Sequence, residues 1–447
     1  MLKLPEKINR IFALAKAQEM PIWLVGGCLR DLLLGLEPKD WDFAAALPPG
    51  EAEQRLMAAG LKVFETGLKH GTVTFRFEGE SFELTSLRLD GPYLDHRRPD
   101  WVEFTADIRE DLGRRDFTIN AMAYRPGEEL IDPFGGREDM EKGVLRAVGQ
   151  AENRLEEDAL RILRAVRFAG RFRLEIDKTL DMAIREKSEL LGGVSRERVA
   201  AELNGILLES DPRPGLRLLA DYGLWRWIIP EMTACVGFEQ HSVYHHLDVY
   251  GHTILAVANT PPELPLRLAA LLHDIAKPAV FTLDAKGKGH FYDHELVGAK
   301  MARDALKELR YSRAVQEKVE LLTRYHMLHL KTLKSVTLKR FLRALPKPRQ
   351  ESLEEVLLLQ KADLLASRYT EGSIGEYERF AERSRTVLAS GCPLDIADLA
   401  INGRDLVEVG IPENKRASFL EEMLELVMAY PAMNDRGQLL EIAERRS

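Results

Sequence analysis

The sequence predicts an α+β protein: a small mixed head in which strands alternate with helices, followed by a longer, all-helical remainder. Three observations carry this. Short apolar or alternating runs of the strand type, Ile22 to Val25, Thr72 to Phe77, Phe82 to Leu87 and Trp101 to Phe104, all lie near the start of the 447-residue chain. After Leu130 to Gly136, LIDPFGG, read as a strand ending in a turn, strand signals fade. From Glu156 to Phe172, EEDALRILRAVRFAGRF, the apolar spacing is strongly helical.

The whole-chain composition bounds the function. A length of 447 residues implies several domains at ~100–200 residues each. The hydrophobic share of 45% and charged share of 30% are those of an ordinary soluble globular protein. A formal net charge of -8 argues against a generally basic nucleic-acid binder but leaves room for a local basic surface. Cys28, Cys235 and Cys392 are isolated, without C-x-x-C spacing, which fits a reducing compartment and excludes a disulfide framework or a cysteine zinc site. The first residues, MLKLPEKINRIFALAKAQEM, carry charges throughout and lack a signal-peptide core. No stretch approaches ~20 uninterrupted apolar residues, so no membrane partner is expected and the location reads as cytoplasmic.

The chemistry is concentrated first in Ile22 to Asp42, IWLVGGCLRDLLLGLEPKDWD. Leu2 to Met20 precedes it as an amphipathic helix. The buried strand Ile22 to Val25 runs into Gly26 and Gly27 and then a helix from Cys28 to Leu34. A glycine pair there allows a tight turn and exposes backbone N–H groups where a phosphate can bind. Arg30, on the first helical turn, can add a charge-assisted bond. Asp40 and Asp42 form D-x-D; on a strand both carboxylates point to one face and make an oxygen site for a hard cation such as Mg²⁺. Glu51 to Ala59 is a further helix, and Gly79 turns the hairpin from Thr72 to Leu87. Glu83 alternates with apolar neighbours, so it is a candidate third carboxylate or a salt-bridge partner. Asp90 to Asp100, DGPYLDHRRPD, is a polar loop. In Asp111 to Tyr124, DLGRRDFTINAMAY, a charged cluster at Arg114, Arg115 and Asp116 leads into an apolar segment.

In the helical part, Asp158, Arg161 and Arg164 recur every three residues and so share a face of the predicted helix, either as an exposed ion-paired surface or as a recognition surface. Arg196 to Leu208 and Gly215 to Leu219 continue the helices. Beyond His241, histidines punctuate helical stretches such as His252 to Ala258 and Leu266 to Lys277, with His273–Asp274 inside LLHDIAKP. Lys331 to Arg349 is basic with no acidic residue, fitting a solvated face or a phosphate contact. Glu354 to Ser367 is helical and carries Asp363, and the tail to Ser447 reads as helical and structural.

Taken in order, LVGGCLRDLLLG, KDWDF, DLGRRDFTINAMAY, IDPFGG and EEDALRILRAVRFAGRF resemble the successive motifs of class II tRNA nucleotidyltransferases, the CCA-adding enzymes and their poly(A) polymerase relatives. SRERVAAELNGIL, from Ser195 to Leu207, resembles the next helical motif of that family, and the later histidines resemble an HD-type metal phosphohydrolase domain. The resemblance implies a nucleotidyltransferase head over 1–136, a helical neck and RNA-binding body over 137–235, an HD domain over 236–370 and a helical tail over 371–447. It implies that Asp40 and Asp42 bind the catalytic metal, that Gly27 and Arg30 hold the nucleotide, and that Arg115 serves the phosphates. Asp158, Arg161, Arg164 and Arg167 match the neck motif, and Asp116 and Asn120 a supporting role in the second motif.

The implied reaction adds CCA to the 3′ end of tRNA, using CTP and ATP and no nucleic-acid template. A two-metal site, Mg²⁺ in the head, activates the terminal hydroxyl and offsets charge on the departing pyrophosphate. A carboxylate only accepts and a guanidinium only donates. Asp158 accepting from an amino group while Arg161 donates to a ring nitrogen therefore suits C and A and leaves G and U mismatched. His252, His273, Asp274 and Asp363 fit the H…HD…D pattern, suited to Mn, Co, Ni, Fe or Mg²⁺ and to phosphoester hydrolysis, with His294 and His326 as candidates for a second ion. No role is assigned to His241, His245, His246 and His290. Addition of only CC or only A, poly(A) synthesis, or a hydrolytic HD phosphatase with an RNA-binding head are the alternative readings. The sequence fixes no oligomeric state.

Overall fold

A computed structural model of the chain describes residues 2–67, 71–91, 100–241, 247–327, 334–367 and 371–446. The chain divides into two compact units, Met1–Pro230 and Glu231–Ser447. The class is α+β: among the described residues the first unit has a six-stranded sheet and two two-stranded pairs, the second a single two-stranded hairpin, and helices make up most of the rest.

The first unit opens with α1 (Glu6–Ala17), β1 (Ile22–Val25), α2 (Gly27–Leu33), β2 (Asp42–Ala45), α3 (Pro49–Ala58), β3 (Lys62–Gly67), β4 (Thr72–Phe77) and β5 (Glu80–Ser86). A hairpin of β6 (Arg88–Asp90) and β7 (Val102–Phe104) follows, then α4 (Ile108–Gly113), a 3₁₀ turn at Thr118–Asn120 and β8 (Ala123–Tyr124). Six strands form one sheet in the order β3-β4-β5-β2-β1-β8. Only the β2–β5 pair in it is parallel, and it sets Asp42 beside Glu83. The alternation of β2 puts Phe43 and Ala45 on the face covered by α1, where Phe12, Phe75 and Phe82 close around Phe43. The other face takes Ala44, Trp23, Val25 and Leu112. Asp42 shares that second face by alternation, at the strand's open end.

Beyond the sheet come α5 (Gly136–Lys142), β9 (Val144–Leu145), α6 (Ala151–Glu157), α7 (Arg161–Phe172), β10 (Glu175–Ile176), α8 (Lys178–Lys187), α9 (Arg196–Leu207), α10 (Arg213–Asp221) and α11 (Trp225–Ile228). Two expectations are corrected here. Leu130 to Gly136 is not a strand; only Ile131 bridges to Ala123, and Asp132 instead accepts from the backbone N–H groups of Gly136 and Arg137 to start α5. A Cβ at Gly136 would lie 2.1 Å from the Thr118 carbonyl oxygen, so only glycine permits that approach. Glu156 to Phe172 is not one helix. It breaks at Asp158, whose backbone is extended (φ -146°, ψ 100°) and whose carboxylate accepts from the Leu160 N–H at 3.1 Å to start α7. Asp158 therefore does not share a helical face with Arg161 and Arg164.

The second unit holds α12 (Val249–Asn259), α13 (Leu264–Leu272), α14 (Lys277–Val280), the small hairpin β11 (Thr282–Leu283) and β12 (Gly289–His290), α15 (His294–Glu308), α16 (Arg313–Tyr325), α17 (Ser335–Ala344) and α18 (Arg349–Ala366). The end of the chain adds α19 (Glu371–Ala389), α20 (Gly403–Glu408), α21 (Glu413–Ala429) and α22 (Arg436–Glu444). The predicted helix from Leu266 to Lys277 stops at Leu272, so His273 and Asp274 occupy a turn rather than a helix interior. In the basic run, four of the described residues meet acids, while Lys339 donates to the Met428 carbonyl oxygen at 2.8 Å. Arg340 pairs with Glu425 at 2.7 Å, Arg343 with Glu421 at 2.8 Å, and Lys347 and Arg349 with Asp395 at 2.7 and 2.6 Å. That stretch is bound into the bundle through these pairs. Most of the Asp90 to Asp100 loop, along with His245 and His246, lies outside the described residues. No described helix is long and apolar enough to cross a membrane.

Candidate functional sites

The head site is built on the turn between β1 and α2. Gly26 takes φ 72°, ψ -134°, a conformation an L side chain rarely adopts, and a Cβ there would lie 2.8 Å from Arg115 Nη1. The glycine thus lets Arg115 lie against the turn. Arg115 is held by Asp111 Oδ2 at 3.2 Å and reaches the Asn120 carbonyl oxygen at 3.5 Å. Asp42 opens β2, while Asp40 sits in the bend before the strand, so only one of the pair is a strand residue. The Asp42 carboxyl is pushed above its ordinary value, first by loss of solvation and then by Glu83 and Asp40, with Arg115 opposing. The Asp42–Glu83 register puts two carboxylates on one face at the open end of β2, with Arg115 the cation acting on Asp42; carboxylate oxygens are the donors that a hard divalent cation takes.

Arg30 does not reach out toward a ligand. It is 5% exposed, bonded to Asp31 Oδ1 at 2.7 Å and to Asn120 Oδ1 at 2.7 Å, and stacked on Phe168 and Phe172 with 5.0 and 4.6 Å to the centroids. Asn120 passes the connection on. Its amide donates to Asp116 Oδ1 at 3.0 Å, and Asp116 Oδ2 accepts from Arg164 Nε at 2.8 Å. Arg164 and Arg167 also flank Phe168, and Arg167 Nε donates to Glu202 Oε2 at 2.6 Å. One chain of bonds therefore runs from the α2 turn through the 3₁₀ segment to α7 and α9. Arg161 and Asp158 stand apart from it. Arg161 is buried and donates to the Arg154 and Arg114 carbonyl oxygens at 2.9 and 3.2 Å and to Glu157 at 2.6 Å. Asp158 Oδ2 accepts from Arg198 at 2.7 Å. Sequence reasoning passed over Glu202 and Arg198, although both stand in the quoted SRERVAAELNGIL segment. Nothing in their spacing marks them as partners of α7. Cys28, beneath the turn, is buried with its thiol pushed up to about 11 by burial, so it stays protonated and is no nucleophile.

The second unit brings all six expected ligands together. His252, His273 and Asp363 have donor atoms within 4.8 Å of one another, as do Asp274, His294 and His326. Asp274 stands between the groups: Oδ2 is 3.2 Å from His273 Nε2 and 3.5 Å from His252 Nε2, and Oδ1 is 3.5 Å from His294 Nε2 and 3.8 Å from His326 Nε2. The backbone turns the rings. Nδ1 of His273, His294 and His326 faces the carbonyl oxygens of Ala270, Phe291 and Thr323 at 2.8, 2.7 and 2.6 Å. Donation there places the Nε2 lone pairs inward. His294 Nε2 is buried and makes no hydrogen bond among the described residues. Imidazole nitrogens aimed at a shared carboxylate in a buried pocket fit divalent metal ions. Lys277, also unpredicted, bonds Asp274 Oδ2 at 2.7 Å and Gln240 Oε1 at 2.8 Å. Asp274 lies well below its ordinary value: His273 and Lys277 outweigh the burial that would raise it.

The sheet-bearing head, the helical segment after it and the histidine–aspartate cluster each fall within a matched family model. Residues 22–146 match the Poly A polymerase head domain, 173–236 the probable RNA and SrmB-binding site of polymerase A, and 243–368 the HD domain. The chain thus carries a head of the Poly A polymerase type over 22–146, and none of the three matches spans half of it. It is 43% identical over 202 residues to a CCA-adding enzyme of Lactobacillus johnsonii, covering 45% of this chain and 50% of that protein. It is 41% identical over 232 residues to that of Lactococcus lactis subsp. cremoris, covering 51% and 57%. The chain spans about half the length of the curated relatives it matches. Among solved structures, the Bacillus stearothermophilus CCA-adding enzyme in complex with CTP superposes with a TM-score of 0.69 at 24% identity, over 99% of this chain and 98% of that one. The Thermotoga maritima enzyme complexed with tRNA gives 0.61 at 21%, over 99% and 96%. At those identities the likeness establishes the fold.

Asp116 provides a direct test of the bond chain. Its bonds to Arg164, Asn120 and the Phe117 N–H outweigh burial and hold its carboxyl below the ordinary value. Its contribution to stability is therefore fully present above the ordinary carboxylate range and is lost as pH falls through the lowered folded value. Asp116→Asn should cost about 2 kcal/mol at neutral pH, and the Tm gap to wild type should narrow below roughly pH 4. Thermal melts from neutral to acid pH check this; a gap independent of pH would remove the charge from the account.

Proposed function

We propose that the chain completes the 3′ end of tRNA, adding C, C and A from CTP and ATP without a template. The observation that carries this is the carboxylate edge at Asp40, Asp42 and Glu83, set against the Gly26–Gly27 turn in a head whose sequence relatives are CCA-adding enzymes. Asp40 and Asp42 would hold Mg²⁺, with Glu83 a third oxygen ligand. When bound, the metal supplies activation of the terminal hydroxyl and neutralisation of the leaving pyrophosphate. The chain's own residues do the positioning. Arg115, against the turn, meets the phosphates. Arg164 and Arg167 add positive potential while their pairs with Asp116 and Glu202 hold them in place. Arg30, buried, acts on the nucleotide through the turn it braces. The expected division into 1–136, 137–235, 236–370 and 371–447, with tRNA on the helical body, belongs to this reading. Free Cys28, Cys235 and Cys392 suit a cytoplasmic location.

Base choice falls to Asp158 and Arg161. Asp158 accepts from Leu160 N–H on one oxygen and Arg198 on the other, which leaves each oxygen a further lone pair for an amino group. Arg161 retains donors beyond its bonds to the Arg154 and Arg114 carbonyls and Glu157. The bonded guanidinium is already oriented, so the pair accepts one hydrogen-bond pattern, that of C and A. CC-only, A-only and poly(A) addition share the same head chemistry.

A second activity is supported by its own cluster. His252, His273, Asp274 and Asp363, with His294 and His326, would hold divalent ions such as Mn, Co, Ni, Fe or Mg. When bound, these supply an activated water for phosphoester hydrolysis. Lys277 keeps Asp274 ionised and faces the same pocket. A purely hydrolytic protein would have no use for the head carboxylates.

Asp40→Ala and Asp42→Ala should each abolish nucleotide incorporation into tRNA lacking CCA while leaving the circular dichroism spectrum unchanged. Incorporation near the wild-type rate by both purified variants would remove the catalytic assignment. His273→Ala combined with Asp274→Ala should eliminate metal-dependent phosphoester hydrolysis and spare addition; hydrolysis at the normal rate in the double variant would show that the cluster does not perform it. For base selection, Arg161→Ala should lower use of both CTP and ATP about ten- to a hundredfold. Asp158→Ala should also raise UTP incorporation relative to CTP. The measurement is incorporation of each of the four nucleotides on primers ending at each stage of CCA, and unchanged ratios would return both residues to structure.

A further inference from the structure

Arg198, Glu202 and Gly205 recur on α9 at the spacing that puts residues on one side of a helix. Each meets the stretch from Asp158 to Arg167. Arg198 Nη2 donates to Asp158 Oδ2 at 2.7 Å. Glu202 Oε2 accepts from Arg167 Nε at 2.6 Å. A Cβ on Gly205 would lie 2.5 Å from Arg167 Cδ, so the missing side chain lets Arg167 lie against the helix. One face of α9 therefore grips this stretch at both ends, with a cation on Asp158 and a carboxylate on Arg167.

Arg198 is the contact that bears on the choice of base. The torsion that turns an aspartate carboxylate is broad, so rotamer preference alone leaves the plane of the group unset. In Asp158 two bonds set it, one on each oxygen: the Leu160 N–H on Oδ1 at 3.1 Å and Arg198 on Oδ2. The first is local, two residues along the same segment. The second arrives from 40 residues further along the chain. With both oxygens held, the lone pairs that remain point in fixed directions. With Oδ2 released, the group pivots on Oδ1 and the direction from which it accepts is lost.

We propose that Arg198 is a positioning residue for base selection: by holding Asp158 Oδ2 it fixes the direction from which the carboxylate accepts an amino group, and so sets the preference for C and A over U and G. This rests on reading Asp158 as a base-contacting group, and it adds a residue from another helix that acts only through it.

The test measures kcat/KM for CTP, ATP, UTP and GTP on tRNA primers ending at each stage of CCA, with the full chain and Mg²⁺. Arg198→Ala should lower the CTP:UTP and ATP:GTP ratios about tenfold. Arg198→Lys, which returns a cationic donor, should bring them within about threefold of wild type. Arg196→Ala removes a bond from the same helix to the Trp227 carbonyl oxygen and should leave both ratios at the wild-type value, whatever it does to the rate. In an Asp158→Ala background, Arg198→Ala should change the ratios no further. Ratios unchanged in Arg198→Ala but shifted in Asp158→Ala overturn the positioning role and leave the base reading intact. Ratios shifted by Arg198→Ala but not by Asp158→Ala, or shifted further in the double variant, overturn action through Asp158. Unchanged ratios in both single variants overturn both readings. Equilibrium dialysis of labelled CTP and UTP, with Mg²⁺ and no primer, separates the proposal from the addition reaction. A preference for CTP that falls about tenfold in Arg198→Ala, in a protein that adds nothing to tRNA, supports the positioning role and overturns addition. Neither preference nor addition in the wild type overturns both.

Discussion

The first unit depends on one buried carboxylate. Asp116 is 8% exposed and ionised, a costly placement unless every oxygen finds a donor. Arg164, Asn120 and the Phe117 N–H supply those donors from three places in the chain. Through Asn120 the same group steadies Arg30 beneath the glycine turn, and through Arg164 it fixes the face of α7. Three guanidiniums, those of Arg30, Arg164 and Arg167, gather on the single ring of Phe168. Their mutual repulsion is tolerable because Asp31, Asp116 and Glu202 stand among them. Cationic groups are thereby held rigidly around one aromatic ring.

The second unit uses a different device for the same end. Three of its imidazoles, those of His273, His294 and His326, are oriented by main-chain carbonyls rather than by other side chains. His273 closes the end of α13 with helical backbone (φ -59°, ψ -35°), and its Nδ1 faces the Ala270 carbonyl oxygen one turn back while Nε2 lies 3.2 Å from Asp274 Oδ2.

Much of the fold was legible in the sequence because its signals are local. Ile22–Val25 is apolar and short, and it is a strand with the expected ends. The hairpin around Gly79 follows from alternation and a residue free to take positive φ. What the sequence hid depends on contacts between distant segments. Asp158 carries no breaker residue, yet its carboxylate prefers Leu160 N–H and Arg198 to a place on a helix. Arg30 reads as a surface arginine until Phe168 and Asn120, far along the chain, cover it. Lys277 and Glu202 have no periodic mark at all; each is explained by the charge it faces. The same holds for the basic run ending at Arg349, whose partners in α21 and at Asp395 follow it in sequence with no local sign of pairing.

Asn120 gives the Asp116 system a direction. Its amide faces a cation with oxygen and an anion with nitrogen, so it cannot be reversed without setting like against like at both ends. An aspartate there would oppose Asp116 across 3.0 Å, and an aliphatic side chain would leave two buried charges short of a partner. The position thus behaves as a one-way connector whose polarity is set by its neighbours. Arg30, Asp116, Asn120 and Arg164 form a unit of inheritance: a change of sign at one of them is compatible with the fold only if the others change with it.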